Sequence, residues 1–215
     1  MHDDIRSAHA FWIGGPPDAG KTTVAALLAE RHGMRVYHVD RHELRHFAQA
    51  NPYRHPALYA AHPDRMTTEE RWLGSTPEEM ARTTIQSWSE RVDMAIDDIL
   101  AMPGDVPIVA EGPRFFPDSI LPLLSDRQNA IWLIPTEAFA HASALKRGKP
   151  GSRHETSDST RATEQIIARD HLMRTEILRQ IREHDSPCIE VDGQTSGMDL
   201  ATHIGTHPFF SSPAN

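Results

Sequence analysis

The chain has 215 residues, 39% of them hydrophobic and 24% charged, and its formal net charge is −8. This length suits one α/β domain with a sizeable core, and the acidic balance argues against nucleic acid or anionic membrane as general partners, because both attract a basic excess. The single cysteine excludes an internal disulfide and a multi-cysteine metal site. No apolar signal core and no run of about 20 apolar residues is visible, so we expect a cytoplasmic protein.

Short apolar runs alternate with helical segments along the chain. Strands are predicted at residues 10–14, 34–39, 108–110, 130–134 and 188–191. Helices are predicted at residues 21–32, 76 or 77–100, 135–146 and 159–184. This alternation predicts an α/β fold with a mainly parallel sheet and helices on both faces. We expect a single domain over residues 1–215.

Two segments interrupt the alternation. Residues 51–102 are longer than one crossover between strands requires, so we predict a helical insertion there that binds a substrate. Residues 147–160 are basic at first, rich in glycine and serine, and poor in apolar side chains. They form either a solvated surface loop or a lid over a site.

The sequence GPPDAGKT at residues 15–22 matches the phosphate-loop pattern G-x-x-x-x-G-K-[ST], between a predicted strand and a predicted helix. In such a loop, backbone N–H groups surround phosphate oxygens, the lysine reaches the β- and γ-phosphates, and the hydroxyl meets Mg²⁺. Pro16 and Pro17 donate no N–H, so we expect the phosphate contacts to begin at Asp18, a residue type that tolerates left-handed backbone. The predicted nucleotide-binding residues of the loop are Gly15, Asp18, Ala19, Gly20, Lys21, Thr22 and Thr23.

A carboxylate ends the third predicted strand at Glu111, in the sequence VAEGPR. Carboxylate and hydroxyl oxygens are ligands that Mg²⁺ accepts, directly or through water, so Thr22 and Glu111 are the predicted metal ligands. The alternative is that Glu111 only caps the turn that follows the strand.

Four segments together resemble P-loop small-molecule kinases, a group that includes adenylate kinase, uridine kinase and the chloramphenicol phosphotransferases. They are GGPPDAGKTT at residues 14–23, EGPR at 111–114, the arginine-containing segment after the fourth strand, and VDG at 191–193. The resemblance implies a three-layer P-loop NTPase fold with a five-stranded parallel sheet in the order 2-3-1-4-5, an acceptor site over the strand ends and a lid. It also implies ATP and Mg²⁺ as cofactors and a small-molecule acceptor. Dimers are frequent in such kinases, which makes a homodimer one expected assembly.

The resemblance also implies roles for single residues. Arg114 stands where nucleoside monophosphate kinases have an arginine for the acceptor phosphate, although Glu111 replaces their aspartate and one residue is missing. Asp192 and Gly193 would lie beside the adenine. Five cations are candidates to neutralise the transferring phosphoryl group: Lys146, Arg147 and Arg153 in the lid, and Arg161 and Arg169 on the helix behind it. Of these, Arg147 is the predicted nucleotide contact and Arg153 the predicted catalytic residue, since arginine's planar fork of donors suits such roles.

The acceptor side is predicted around Asp40, which ends the second predicted strand. The resemblance implies that an acid at this point meets the acceptor hydroxyl, so Asp40 is the predicted base; alternatively it caps the next helix. Arg41 and Arg45 flank it and either hold an anionic acceptor or are solvated. Tyr53, with Trp72 and Trp88, is a candidate wall for an aromatic or sugar-like acceptor.

Three functions remain open at this point. The first is a kinase that transfers the γ-phosphoryl group of ATP to a hydroxyl of a nucleoside, metabolite or antibiotic. The second is a nucleotide-binding regulatory ATPase with no small acceptor. The third is a zinc hydrolase, because HELRH at residues 42–46 spells H-E-x-x-H, in which His42 and His46 would bind zinc and Glu43 would act as base.

Overall fold

The structure, a computed structural model, describes residues 10–146 and 155–210. Five strands form one sheet: β1 (Ala10–Gly14), β2 (Arg35–His38), β3 (Ile108–Glu111), β4 (Ala130–Pro135) and β5 (Cys188–Val191). All four pairings are parallel, and the strand order is β2-β3-β1-β4-β5. The predicted α/β fold class and the 2-3-1-4-5 strand order are confirmed.

The α-helices of the described residues lie between and after these strands. They are α1 (Lys21–His32), α2 (Glu43–Gln49), α3 (Pro56–Ala60), α4 (Thr68–Leu73), α5 (Pro77–Leu100), α6 (Pro117–Ile120), α7 (Glu137–Lys146), α8 (Ser159–His184) and α9 (Gly197–Ile204). A 3₁₀ turn, Val39–His42, joins β2 to α2. No helix of residues 10–146 and 155–210 is long and apolar enough to cross a membrane.

The central strand β1 is buried on both faces, which is why its sequence is continuously apolar. Its alternate side chains enter two separate cores. Trp12 packs in the core that contains Val92 of α5 and Ile177 of α8. Ile13 packs in the core that contains Leu28 of α1 and Leu200 of α9. The sheet is therefore covered by helices on both faces, giving the three predicted layers.

Local signals explain where α5, the long helix between β2 and β3, begins. The hydroxyl of Thr76 accepts a hydrogen bond from the Glu79 N–H, and the Glu79 carboxylate accepts one from the Thr76 N–H. Pro77 then occupies the first helical turn, where its missing N–H costs nothing. The predicted start of this helix at residue 76 or 77 is confirmed.

Several predicted boundaries are wrong by a few residues. The second strand ends at His38, because Val39 already belongs to the 3₁₀ turn. Pro135 does not begin a helix: it is the last residue of β4, where it pairs with Val191 of β5, and α7 begins at Glu137. The four helices α3, α4, α6 and α9 were not predicted individually, since each has only four to eight residues.

The two interrupting segments differ in how much the structure describes. Within residues 51–102 it contains α3, α4 and α5, and the C-terminal half of α5 packs on the sheet through Val92, Ile96 and Ile99. Residues 147–154 of the predicted lid lie outside the described residues. The remainder, residues 155–160, forms a turn followed by the start of α8, which begins at Ser159. Substrate binding by the insertion stays a prediction.

We predict that Leu28→Ala, which empties a fully buried site in α1, lowers the free energy of unfolding by about 3 kcal/mol. Leu44→Ala is the matched control, because Leu44 also lies in a helix but is 78% exposed. It should cost less than about 0.5 kcal/mol. Urea denaturation of the two variants measures both values, and equal losses would contradict the assignment of the core.

Candidate nucleotide and acceptor site

The loop between β1 and α1 has the backbone that its glycines predict. Gly15 and Gly20 have φ values of 125° and 77°. A Cβ atom at Gly15 would lie 2.1 Å from the carbonyl oxygen of Leu133, so only glycine fits against β4 there. Asp18 has a φ of 62°, the left-handed conformation that the sequence analysis allowed for it.

Lys21 begins α1 and is buried, and its Nζ donates a hydrogen bond to the carbonyl oxygen of Pro16 at 2.6 Å. The loop thus curls around the ammonium group. No side chain caps the N-terminus of α1, and its first turn holds no acidic residue. The N–H groups and the positive end of the helix dipole therefore face the loop, an arrangement that suits phosphate.

The hydroxyl of Thr22 and the carboxylate of Glu111 lie together beside the loop. Thr22 Oγ1 donates to Glu111 Oε1 at 3.1 Å, and Glu111 is 5% exposed. His38 Nδ1 lies 2.7 Å from the same carboxylate oxygen. The hydroxyl and carboxylate oxygens are hard ligands of the kind that Mg²⁺ prefers, so this pair fits the predicted metal site.

His38 was not among the residues predicted from the sequence. The signal that could have found it is register: His38 is the last residue of β2 and pairs with Glu111 at the end of β3. Parallel strands that end together bring their terminal side chains to one edge of the sheet.

A cavity of about 590 Å³ opens at this edge of the sheet. One wall is the phosphate loop, from Pro17 to Thr23. The other walls include Asp40, Trp88, Glu111, Arg114, Lys146 and Arg169. The predicted metal ligands, the predicted base and the lysine of the loop therefore line one cavity.

A second cavity, of about 510 Å³, adjoins the first at Pro17 and lies between α7 and α8. Its lining is largely apolar and includes Ala140, Ala144 and Ile167. Since it lacks Lys21, Thr22, Glu111 and Asp40, we assign the candidate site to the first cavity.

Asp40 lies in the 3₁₀ turn after β2, and its side chain is 61% exposed. Arg114, which follows β3, is 5% exposed and donates from Nη1 to Asp40 Oδ1 and from Nη2 to Glu43 Oε1. Its guanidinium carbon lies 5.2 Å from the centre of the Trp88 ring. Arg114 therefore joins the turn after β2 to the loop after β3.

A buried polar network supports this arrangement from behind. Arg91 of α5 is 1% exposed and donates to Glu43 Oε1 at 3.0 Å and to the Val39 carbonyl oxygen at 3.4 Å. Its Nε donates to His46 Nδ1 at 3.4 Å, while His46 Nε2 lies 2.9 Å from Asp98 Oδ2. Because an arginine can only donate, Nδ1 of His46 accepts and the imidazole is neutral, with its proton on Nε2.

Burial sets the protonation of both groups in this network. It lowers the pKa of Arg91 to about 10, so the guanidinium stays charged at neutral pH. It also lowers the pKa of His46, which agrees with the neutral imidazole that the hydrogen bonds require. The Glu43 carboxylate therefore faces two charged guanidinium groups, those of Arg91 and Arg114.

HELRH does not form a zinc site in this structure. His42 belongs to the 3₁₀ turn, and its ring stacks on Tyr37 with centroids 4.8 Å apart. Glu43 pairs with arginines, and both nitrogens of His46 have partners. Across residues 10–146 and 155–210, no group of three His, Cys, Asp or Glu side chains is placed to hold a metal ion.

Three predicted acceptor residues do not line the cavity. Arg45 Nη2 donates to Asp98 Oδ2 at 2.5 Å, which turns the side chain toward α5. Arg41 is exposed and is not part of the cavity wall. Tyr53 is 93% exposed, because Asn51 Oδ1 accepts from its N–H and holds the backbone in a surface turn.

The residues predicted beside the adenine also lie outside the cavity wall. Asp192 Oδ1 accepts from the N–H of Gln194 at 2.8 Å, which forms a turn at the end of β5. Gly193 has a φ of 82°, and a Cβ there would lie 2.5 Å from the Phe139 ring, so the turn requires glycine. Arg147 and Arg153 lie outside the described residues, and their roles stay predictions.

No protein-family model and no curated protein matches the sequence. Among solved structures, the chain is similar to shikimate kinase from Acinetobacter baumannii in complex with shikimate, with 16% sequence identity and a TM-score of 0.48. The match covers 95% of this chain and 94% of that one. The resemblance to adenylate, uridine or chloramphenicol kinases in particular is not confirmed.

The lowered pKa of His46 predicts how the stability of the protein depends on pH. Because burial lowers the folded-state pKa of His46 below 6.5, the unfolded chain takes up the proton first. This contribution to stability is complete above pH 6.5 and is lost as the pH falls through the lowered pKa. We expect the unfolding free energy of the wild type to fall more than that of His46→Gln between about pH 8 and about pH 5.

Urea denaturation at a series of pH values measures this difference. His203→Gln, a substitution of an exposed histidine on α9, is the control and should keep the wild-type dependence. Parallel curves for the wild type and His46→Gln would contradict the assignment of a neutral, buried His46.

Proposed function

We propose that the protein is an ATP- and Mg²⁺-dependent phosphotransferase that moves the γ-phosphoryl group to a hydroxyl of a small molecule, such as a nucleoside, metabolite or antibiotic. The observation that carries the proposal is the composition of one cavity. Lys21 and the Thr22–Glu111 pair lie on its loop side, and an exposed carboxylate, that of Asp40, lies on the other.

On the nucleotide side of the proposed site, the binding groups come from the phosphate loop and the start of α1. The N–H groups from Asp18 onward and the start of α1 would bind phosphate oxygens, and Lys21 would place its charge against the terminal phosphates. Thr22 and Glu111 would hold Mg²⁺, which when bound neutralises phosphate charge and orients the phosphates. His38 helps to fix the Glu111 carboxylate through its 2.7 Å contact with Oε1, the oxygen that Thr22 also contacts.

On the acceptor side of the proposed site, Asp40 is the candidate base. Phosphoryl transfer needs little covalent help from a protein, but it needs an oriented acceptor oxygen. The exposed carboxylate of Asp40 can accept the hydrogen bond of an acceptor hydroxyl and take its proton. Arg114 orients that carboxylate by donating to its other side. Trp88 offers a flat apolar surface to the body of the acceptor.

A regulatory ATPase would need the loop but no acceptor side. The exposed carboxylate and the adjoining wall of the cavity favour the phosphotransferase. The deciding experiment screens a metabolite library for ligands that raise the melting temperature in the presence of ATP analogue and Mg²⁺, then measures ADP release with each hit. Acceptor-dependent ADP release and a phosphorylated product support the proposal. Hydrolysis that no acceptor stimulates would favour the regulatory ATPase.

We predict that Lys21→Ala lowers the rate of phosphoryl transfer by about 10²-fold or more, because it removes a charge held against the transferring group. Arg31→Ala, at the exposed end of the same helix, should keep the wild-type rate. Coupled ADP release measures both. Transfer that survives Lys21→Ala unchanged would overturn the mechanism.

We predict that Asp40→Asn lowers kcat by about 10²-fold or more while ATP binding is retained, because the variant keeps the side chain's size but loses the base. Asp93→Asn, an exposed aspartate of α5, is the control. Steady-state kinetics and calorimetric nucleotide titration separate the two effects. Full turnover by Asp40→Asn would remove the base role.

A further inference from the structure

We propose that the acceptor carries no anionic group, and that Glu43 is the residue that enforces this specificity. The acceptor is a neutral or cationic hydroxyl compound rather than a phosphate ester or a carboxylic acid. This inference rests on the proposed function and narrows its substrate class.

An incoming acceptor meets the carboxylate of Asp40 before it reaches the guanidinium of Arg114. Asp40 is 61% exposed, whereas Arg114 is 5% exposed. The accessible charged group of this pair is therefore the carboxylate, which attracts hydrogen-bond donors and repels anions. The guanidinium that sequence resemblance offered for an acceptor phosphate lies beneath it.

The guanidinium of Arg114 is already engaged by two carboxylates. Nη1 donates to Asp40 and Nη2 donates to Glu43 Oε1 at 2.5 Å. The side chain is 5% exposed, and its Nε is buried. An acceptor carboxylate or phosphate that contacted this guanidinium would have to share it with Asp40 and Glu43, whose negative charges repel an anion.

Glu43 is held in place by hydrogen bonds from two arginines. Arg91 Nη1 donates to Glu43 Oε1 at 3.0 Å, and Arg91 is itself tied to the Val39 carbonyl oxygen and to His46. Two carboxylates, Asp40 and Glu43, thus face two guanidinium groups, Arg114 and Arg91. The charges of these four groups balance, so each of the two guanidinium groups is already paired with a carboxylate.

The other cations that line the cavity among the described residues do not change this balance. Arg169 donates from both Nε and Nη2 to Asp170 Oδ1, at 3.0 and 2.6 Å. Lys21 begins α1, directly after the loop that follows β1, and Lys146 ends α7, which follows β4. In the strand order β2-β3-β1-β4-β5, these two lysines come from β1 or beyond it, while Asp40 and Arg114 follow β2 and β3.

The direct test is a panel of matched acceptor pairs assayed with the wild-type protein, ATP and Mg²⁺. Each pair differs by one anionic group: nucleosides and their monophosphates, sugars and their sugar acids, amino alcohols and their amino acids. We expect kcat/KM for the neutral or cationic member to exceed that for the anionic member by at least about tenfold.

Two other outcomes of the panel would separate a failure of the inference from a failure of the proposed function. Preferential phosphorylation of an anionic member would overturn the inference and leave the proposed phosphotransferase intact. ATP hydrolysis without transfer to any member would overturn the proposed function, and the inference with it.

Glu43→Gln tests the residue itself. It leaves Arg114 and Arg91 with one carboxylate fewer, so kcat/KM for the anionic member relative to the neutral one should rise by about tenfold. Glu43→Asp, which keeps the charge, should keep the wild-type ratio, as should Glu30→Gln at an exposed site of α1.

Melting temperatures show whether each variant is folded, and the specificity ratio is a readout that general destabilisation does not move. An unchanged ratio in folded Glu43→Gln would overturn the assignment of Glu43. If Glu43→Gln fails to fold, the wild-type panel still decides the class of acceptor, and a changed ratio in Glu43→Asp would overturn the assignment of the specificity to the charge of Glu43.

Discussion

The ion pairs of Arg114 hold together the two chain segments that form the acceptor side of the cavity. Asp40 and Glu43 follow β2, Arg114 follows β3, and Arg91 anchors Glu43 from α5. Both guanidinium groups are buried while Asp40 and Glu43 are partly exposed, so removing one of the carboxylates leaves a buried charge with less compensation and is destabilising. The position of Asp40, and so of any acceptor hydroxyl, depends on this set of contacts.

The residues of the proposed nucleotide side are positioned by the ends of the parallel strands. Parallel register ends β1, β2 and β3 at one edge, which brings the loop, His38 and Glu111 together. Thr22 and His38 both contact Glu111 Oε1. The proposed phosphate and metal side is therefore held by the ends of the strands, and the proposed acceptor side by ion pairs that join the segments after β2 and β3.

Local patterns in the sequence predict most of the fold and the nucleotide side. The apolar strands, the capping box of α5 and the phosphate loop each depend on a few consecutive residues, and Glu111 follows from its place at a strand end. The role of Glu43 could not be predicted, because its partner Arg91 is distant in sequence and reaches it only after α5 packs on the sheet. For the same reason the role of Arg45 was predicted wrongly, because its side chain turns to Asp98 of α5. It is also why HELRH suggested zinc: the partners of His46, Arg91 and Asp98, both come from α5 and are not visible in the local sequence.

The central claim is that this cavity transfers phosphate to a small molecule that carries no anionic group. The most direct measurement uses ATP labelled on its γ-phosphate, incubated with the protein, Mg²⁺ and a fractionated metabolite extract. We predict that label enters a product whose precursor lies in the neutral or cationic fraction, and that Lys21→Ala abolishes it. Label found only in inorganic phosphate, or only in products of the anionic fraction, would contradict the account.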